Sequence, residues 1–173
     1  MINPFKKSYT PKELNLLRFL SRIKIFERLN YEELSLFTPN LYLREYKMDE
    51  AVFFRGDPSN ALYIVKSGKI SLNIDIKEKW EQLQVIKSGG AFGENSLLEH
   101  SVRIYNALVE SETADIYVIP KINILEIFAD NMKIQAKIMT SLAENYNDLK
   151  QNLFKAYRSS QGFFNISEVF LRY

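Results

Sequence analysis

Between Leu41 and Ile119 apolar residues recur every second position, and glycine-centred turns cut the chain into short pieces. Ile70, Leu72, Ile74 and Ile76 alternate with Ser71, Asn73, Asp75 and Lys77. A period of two places one set of side chains on one face of a strand and the other set opposite. Leu41 and Leu43 begin the same pattern; Leu83 and Val85 continue it after Trp80; Ala114, Ile116 and Val118 end it. Turn signals stand at Gly56-Asp57-Pro58, Ser67-Gly68-Lys69 and Ser88-Gly89-Gly90. About eight short strands so closely spaced predict a β-sandwich, jelly roll or barrel.

The flanks read as helical. Thr10-Pro11-Lys12-Glu13 has a cap, a proline at the first helical position and a glutamate that closes a capping box. Leu14, Leu17, Phe19 and Leu20 then form an apolar face, and Asn30-Tyr31-Glu32-Glu33 opens a second helix with Leu34 and Phe37 inward. After Pro120, Ile122 to Phe128 predicts a short helix that breaks at Asp130-Asn131. Met132 to Tyr157 lacks glycine and proline, and its apolar positions include Met132. From Met139 through Leu142, Tyr146, Leu149 and Leu153 the spacing is that of a heptad seam, which predicts pairing with a second copy over residues 132–156. Lys133, Lys137 and Lys150 are expected to form a solvated face. The expected organisation is a helical segment at 1–40, a β-roll at 41–119, helices at 120–157 and a tail at 158–173. The fold class is α+β and mainly β.

Composition removes several chemistries. The 173 residues carry no cysteine and one histidine, His100, which is expected to lie in an exposed loop. Disulfides, thiol catalysis and thiolate-bound metals are excluded, and a histidine-built metal site has too few ligands. Asp49-Glu50 suits a turn rather than an acid–base dyad, so neither an enzyme nor a cofactor is expected. The net charge of +2 is far from that of a dedicated nucleic-acid binder. No stretch approaches the roughly 20 apolar residues of a membrane span, and the N-terminus lacks a signal-peptide core. The expected location is cytoplasmic.

The distinctive stretch is Gly90-Ala91-Phe92-Gly93-Glu94-Asn95-Ser96-Leu97-Leu98, followed by Arg103 nine residues after Glu94. Gly93 allows close approach to the backbone, and Glu94 is an acceptor for a sugar hydroxyl. A helical turn from Asn95 offers N–H groups to an anion. Arg103 offers a two-pronged donor to phosphate oxygens. Phe92 is expected in the core.

With Tyr46 to Asp57, Leu62 to Ile70 and Gly90 to Arg103 in that order, the chain resembles the cyclic nucleotide-binding domain. That family is the sensor of catabolite-activator-type regulators, cAMP-dependent kinase regulatory subunits and gated channels. The resemblance implies a phosphate-binding cassette at 90–103 and a ligand, cAMP or cGMP. It implies Glu94 on the ribose 2′-hydroxyl, Arg103 on the cyclic phosphate, backbone N–H groups near Ser96 and Ile104 completing the cradle, and Gly93 and Asn95 among the ligand-binding residues. The ligand state would be relayed through the C-terminal helices to a further protein, and Tyr146 would reach the base from the long helix. Only 17 residues follow Ala156, too few for the winged helix-turn-helix of the catabolite-activator type, so direct DNA binding is not expected.

The chain departs from the family pattern at the cassette. Asn95-Ser96 stands where Leu-Ala is usual, and Ile104-Tyr105-Asn106 where small residues are usual. Ile104 is expected to crowd the phosphate, and Tyr105 to point inward and fill the purine space. Two readings follow: a nucleotide sensor, or a ligand-free scaffold for protein interaction or dimerisation in which Glu94 and Arg103 pair with each other.

Overall fold

The computed structural model describes residues 8–76 and 79–159. The predicted tail positions from residue 160 onward, with Phe163, Phe164, Val169, Phe170 and Leu171, and Lys77 of the alternating run, lie outside the described residues. Helix α1 (Pro11–Leu20) opens on the predicted capping box, in which Thr10 and Glu13 bond each other's backbone N–H groups. Helix α2 (Tyr31–Leu34) repeats the device with Asn30 and Glu33. Such a cap is worth about 1 kcal/mol, which matters for a helix of one turn.

Eight strands follow: β1 (Tyr42–Lys47), β2 (Ala51–Phe53), β3 (Ala61–Ser67), β4 (Lys69–Ile76), β5 (Lys79–Lys87), β6 (Ala91–Phe92), β7 (Asn106–Val109) and β8 (Thr113–Pro120). They form two antiparallel four-stranded sheets, in the orders β1-β8-β3-β6 and β2-β7-β4-β5. Helices α3 (Lys121–Asp130) and α4 (Met132–Ser159) complete the chain. This is the expected β-roll with N-terminal helices and a long C-terminal helix.

Two apolar clusters hold the fold. Phe53, Val65, Ile70, Phe92, Val109 and Ile116 pack between the sheets. Leu20, Phe26, Phe37, Leu62, Ile64, Ile119, Phe128 and Ile138 pack the helices onto the first sheet. Strand β3 serves both: Leu62 and Ile64 face the helices, and Tyr63 and Val65 face the other sheet. Burial on both faces explains why its sequence, ALYIVKS, reads as a continuous apolar run.

Four expectations need correction. Leu43 is half-exposed with its neighbour Tyr42, because β1 is an edge strand and only Tyr46 reaches the inner cluster. Ser71 and Asn73 are buried alongside Ile70 and Leu72, and Asn73 Nδ2 donates to Ser71 Oγ at 2.9 Å. Leu83 is exposed and Ile86 takes the inward position. The register slips between Leu72–Gln84 and Asn73–Gln82, which leaves Leu83 as the extra residue of a bulge and reverses the faces beyond it. In α4 the buried residues are Ile134, Ile138, Ser141 and Leu142, with Met139 partly covered. Met132, Leu149 and Leu153 are exposed. The first half of α4 therefore packs on its own domain, and the heptad seam emerges only beyond Leu142.

Three ion pairs fasten α4 to the N-terminal segment: Lys137 to Glu33, Arg28 to Glu144 and Lys24 to Asp148. Lys137 is thus committed to Glu33, at 2.7 Å from both carboxylate oxygens, rather than to a solvated face.

Candidate functional site

The cassette begins where β6 stops. Gly93 has φ 73° and ψ 22°, the left-handed region that glycine enters freely. This turn ends β6 and starts a 3-10 turn over Glu94–Leu97, anchored by buried Leu97 in the helical cluster. A side chain at Gly93 has no room, since a Cβ would stand 2.5 Å from Arg103 Nη1. The chain loops through exposed His100, bridges Pro58 at Val102, and delivers Arg103 beneath the turn.

Arg103 is 2% exposed. Its Nη1 donates to Gly93 O at 3.0 Å and to Asn95 Oδ1 at 3.3 Å; its Nη2 donates to Ala61 O at 2.7 Å. Its Cζ lies 4.2 Å from the Phe53 ring centroid and 5.3 Å from that of Tyr63, a cation on an aromatic wall. Backbone bonds pin its main chain, with Arg103 N–H donating to Asp57 O and Gly56 N–H donating to Arg103 O, both at 2.8 Å. Burial pulls the guanidinium below its ordinary pKa. Its Nε–H is buried and has no hydrogen-bond partner, and neither has the hydroxyl of Ser96 in the 3-10 turn.

Asn95 organises this corner. Its Oδ1 accepts from Ser59 Oγ at 2.9 Å as well as from Arg103, and its Nδ2 donates to Val102 O at 2.6 Å. An amide can do this where the usual leucine cannot. Among the described residues no carboxylate forms an ion pair with Arg103, so the mutual Glu94–Arg103 salt bridge expected of a ligand-free pocket is not made. Burial raises the Glu94 carboxyl above its usual range, and a backbone hydrogen bond and the more distant Arg103 only partly offset this.

Tyr105 points inward as expected. Its ring lies 5.7 Å from that of Phe53, and its hydroxyl accepts from Gly93 N–H at 3.0 Å. Burial, then the Glu94 carboxylate, pushes the phenol above its ordinary pKa. On α4, burial and then the Glu94 carboxylate push the Tyr146 phenol up to about 12. Ile104 is 65% exposed, because inward-facing Tyr105 turns its neighbour to solvent.

The fold thus gathers Gly93, Glu94, Asn95, Ser96, Arg103, Tyr105 and Tyr146, and leaves the Ile104 side chain outside. Sequence reasoning missed Phe53, Tyr63, Ser59 and the Ala61 carbonyl. Phe53 and Tyr63 stand inside the two stretches that carry the family resemblance but in unbroken apolar runs that mark no inward side chain, and the carbonyl carries no sequence signal. The arrangement offers donors for an anion and a carboxylate acceptor for hydroxyl groups. Among the described residues no three His, Asp or Glu side chains are grouped to hold a metal, and no helix is long and apolar enough to cross a membrane.

Known proteins share this architecture. A cGMP-dependent protein kinase of Eimeria tenella is 31% identical over 96 residues, which cover 56% of this chain and 9% of the kinase. The cyclic AMP receptor protein of Thermus thermophilus is 32% identical over 90 residues, covering 51% of this chain and 42% of that protein. The regulatory domain of Toxoplasma gondii PKA, solved with cAMP, superposes with a TM-score of 0.63 at 22% identity, over 70% of this chain and 46% of that one. The chain spans less than half the length of each of these. The family model for the cyclic nucleotide-binding domain matches residues 43–131, just over half of the chain. With the β-roll, the glycine-led cassette and its buried arginine in place, the chain belongs to the cyclic nucleotide-binding domain family.

Proposed function

We propose that this chain is a cytoplasmic sensor that binds cAMP or cGMP in the cassette and does no chemistry on it. Arg103 takes the cyclic phosphate and Glu94 the ribose 2′-hydroxyl, with the backbone of Gly93, Asn95, Ser96 and Ile104 around them. The observation that carries the reading is a buried guanidinium with an unpartnered Nε–H, and a buried serine hydroxyl likewise unpartnered, in one cassette. Buried polar groups without partners are uncommon, and a phosphate would satisfy them. Tyr146 joins the site to α4, so occupancy biases how α3 and α4 sit on the roll and presents them to a downstream protein. A second copy pairs through the part of α4 beyond Leu142, where Leu149 and Leu153 are exposed.

The test is a titration of the whole chain with cAMP and with cGMP, followed by melting temperature. At 100 times the dissociation constant a ligand adds about 2.7 kcal/mol of stability, which raises the midpoint of a chain this size by roughly 5–10 °C. Arg103→Lys keeps the charge, loses the planar fork, and abolishes the shift. A folded protein whose midpoint moves with neither nucleotide would sink the reading.

One observation favours a second reading, a ligand-free scaffold. Tyr105 already occupies Gly93 N–H, and the Arg103 guanidinium already serves two carbonyls. On that reading no nucleotide shifts the midpoint, while light scattering gives the mass of a dimer that Leu149→Glu dissociates.

A further inference from the structure

We propose that Tyr105 is an internal competitor for the nucleotide: its phenol is seated on the backbone donor of the cassette, and a ligand must turn it out before the site is complete. The inference rests on the nucleotide reading above and adds to it the residue that sets affinity. Four observations carry it.

The Tyr105 hydroxyl accepts from Gly93 N–H at 3.0 Å. Gly93 is the left-handed residue that opens the turn carrying Glu94, so this donor lies at the entrance to the hydroxyl-binding end. The Tyr105 ring also leans on Phe53, the ring that carries Arg103 Cζ at 4.2 Å. One aromatic floor therefore serves both the phosphate-binding cation and the phenol. Burial, then the Glu94 carboxylate, disfavours the phenolates of Tyr105 and of Tyr146, so both hydroxyls are held in the neutral form.

The backbone on either side of Tyr105 is held. Arg103 is bonded to Asp57 and Gly56 through its main chain, and Asn106 pairs with Asn73 in the β7–β4 ladder. The strand cannot retreat as a unit, so the ring leaves by rotating about its own side-chain bonds. With Ile104 turned to solvent, Tyr105 is the one bulky side chain of the Ile104-Tyr105-Asn106 departure that stands in the cassette.

The experiment is calorimetric titration of the full chain with cAMP and cGMP, using wild type, Tyr105→Phe and Tyr105→Ala. It is paired with amide exchange of Gly93 N–H without ligand. Tyr105→Phe keeps the ring and removes the hydrogen bond, whose net worth corresponds to roughly two- to tenfold in an equilibrium. Binding tightens by about that factor, and further in Tyr105→Ala, while Gly93 N–H exchanges faster in Tyr105→Phe. A wild type that binds nothing beside variants that bind also supports the competitor.

A wild type that binds with both variants unchanged, or weaker, overturns the inference and leaves the nucleotide reading intact. The weaker case means that the ring touches the ligand. If neither wild type nor variants bind either nucleotide, the nucleotide reading itself fails and takes this one with it. Circular dichroism checks that each variant is folded; Tyr105→Phe, which leaves no cavity, carries the test if Tyr105→Ala does not fold.

Discussion

The cations of this domain do their work in two places by two different means. In the cassette Arg103 is buried, bonded to backbone carbonyls, and sandwiched against Phe53 and Tyr63. Between α4 and the N-terminal segment, Lys24, Arg28 and Lys137 meet carboxylates at distances as short as or shorter than those around Arg103, but near water. Distance alone makes the second set look stronger. Solvent decides otherwise: an exposed pair gains little, because water screens it and two long side chains must be held still. A buried donor set is expensive to remove, because its acceptors stay behind without partners.

Replacing each cation by methionine, which is long and uncharged, tests that contrast. Arg103→Met gives the largest effect. It removes the guanidinium bonds to Ala61 O and Gly93 O, leaving Gly93 O with Ser96 N–H alone, and urea unfolding should show a loss of about 2–4 kcal/mol. A loss under 1 kcal/mol would mean that water or a shifted neighbour takes over the Ala61 carbonyl.

Lys137→Met comes next, because Glu33 is the least exposed carboxylate of the three pairs. Its loss should be about 0.5–1 kcal/mol at neutral pH. Burial pulls the Glu33 carboxyl upward, but the Lys137 ammonium and the Asn30 N–H outweigh it and hold the group below the ordinary carboxylate value. A depressed carboxylate stabilises the fold above its ordinary pKa, and that share disappears as pH falls through the depressed value. The gap between wild type and Lys137→Met should therefore narrow in acid; a gap that persists there would assign the loss to packing of the lysine stem.

Lys24→Met should fall within the error of the same titration. A clear loss would show that the outermost pair, Lys24 with Asp148, is held as part of a network.

The same contrast explains what was legible in the sequence. The β-roll announced itself, because its strands are short, alternate cleanly in β4 and are punctuated by Gly56, Gly68 and Gly89, all at positive φ. The cassette announced itself because turn, acid and arginine lie within about a dozen positions. Three things stayed hidden. The bulge at Leu83 depends on cross-strand register, which no local pattern records. The wall around Arg103 comes from Phe53, Ala61 and Tyr63, some 40 to 50 positions away in the chain. The heptad seam of α4 was visible, but Ile134 and Ile138, not Met132, turned out to face the core. A 3.5-residue repeat says which side chains share a stripe and leaves open what the stripe packs against.

Helix α4 has 28 residues, hence about 42 Å at 1.5 Å per residue. Its last fully buried apolar side chain is Leu142, so roughly 25 Å of helix runs on from there to Ser159. Were α4 to tilt about Leu142, that stretch would act as a lever arm. A tilt of about 10° there carries Ser159 through about 4 Å, nearly one helical turn's rise. Asp148, some 9 Å along the arm, travels only about 1.5 Å over the same tilt, little enough for a lysine as long as Lys24 to follow. The geometry turns a small angle at the core into a displacement at the tip, and leaves the tether near the pivot almost slack.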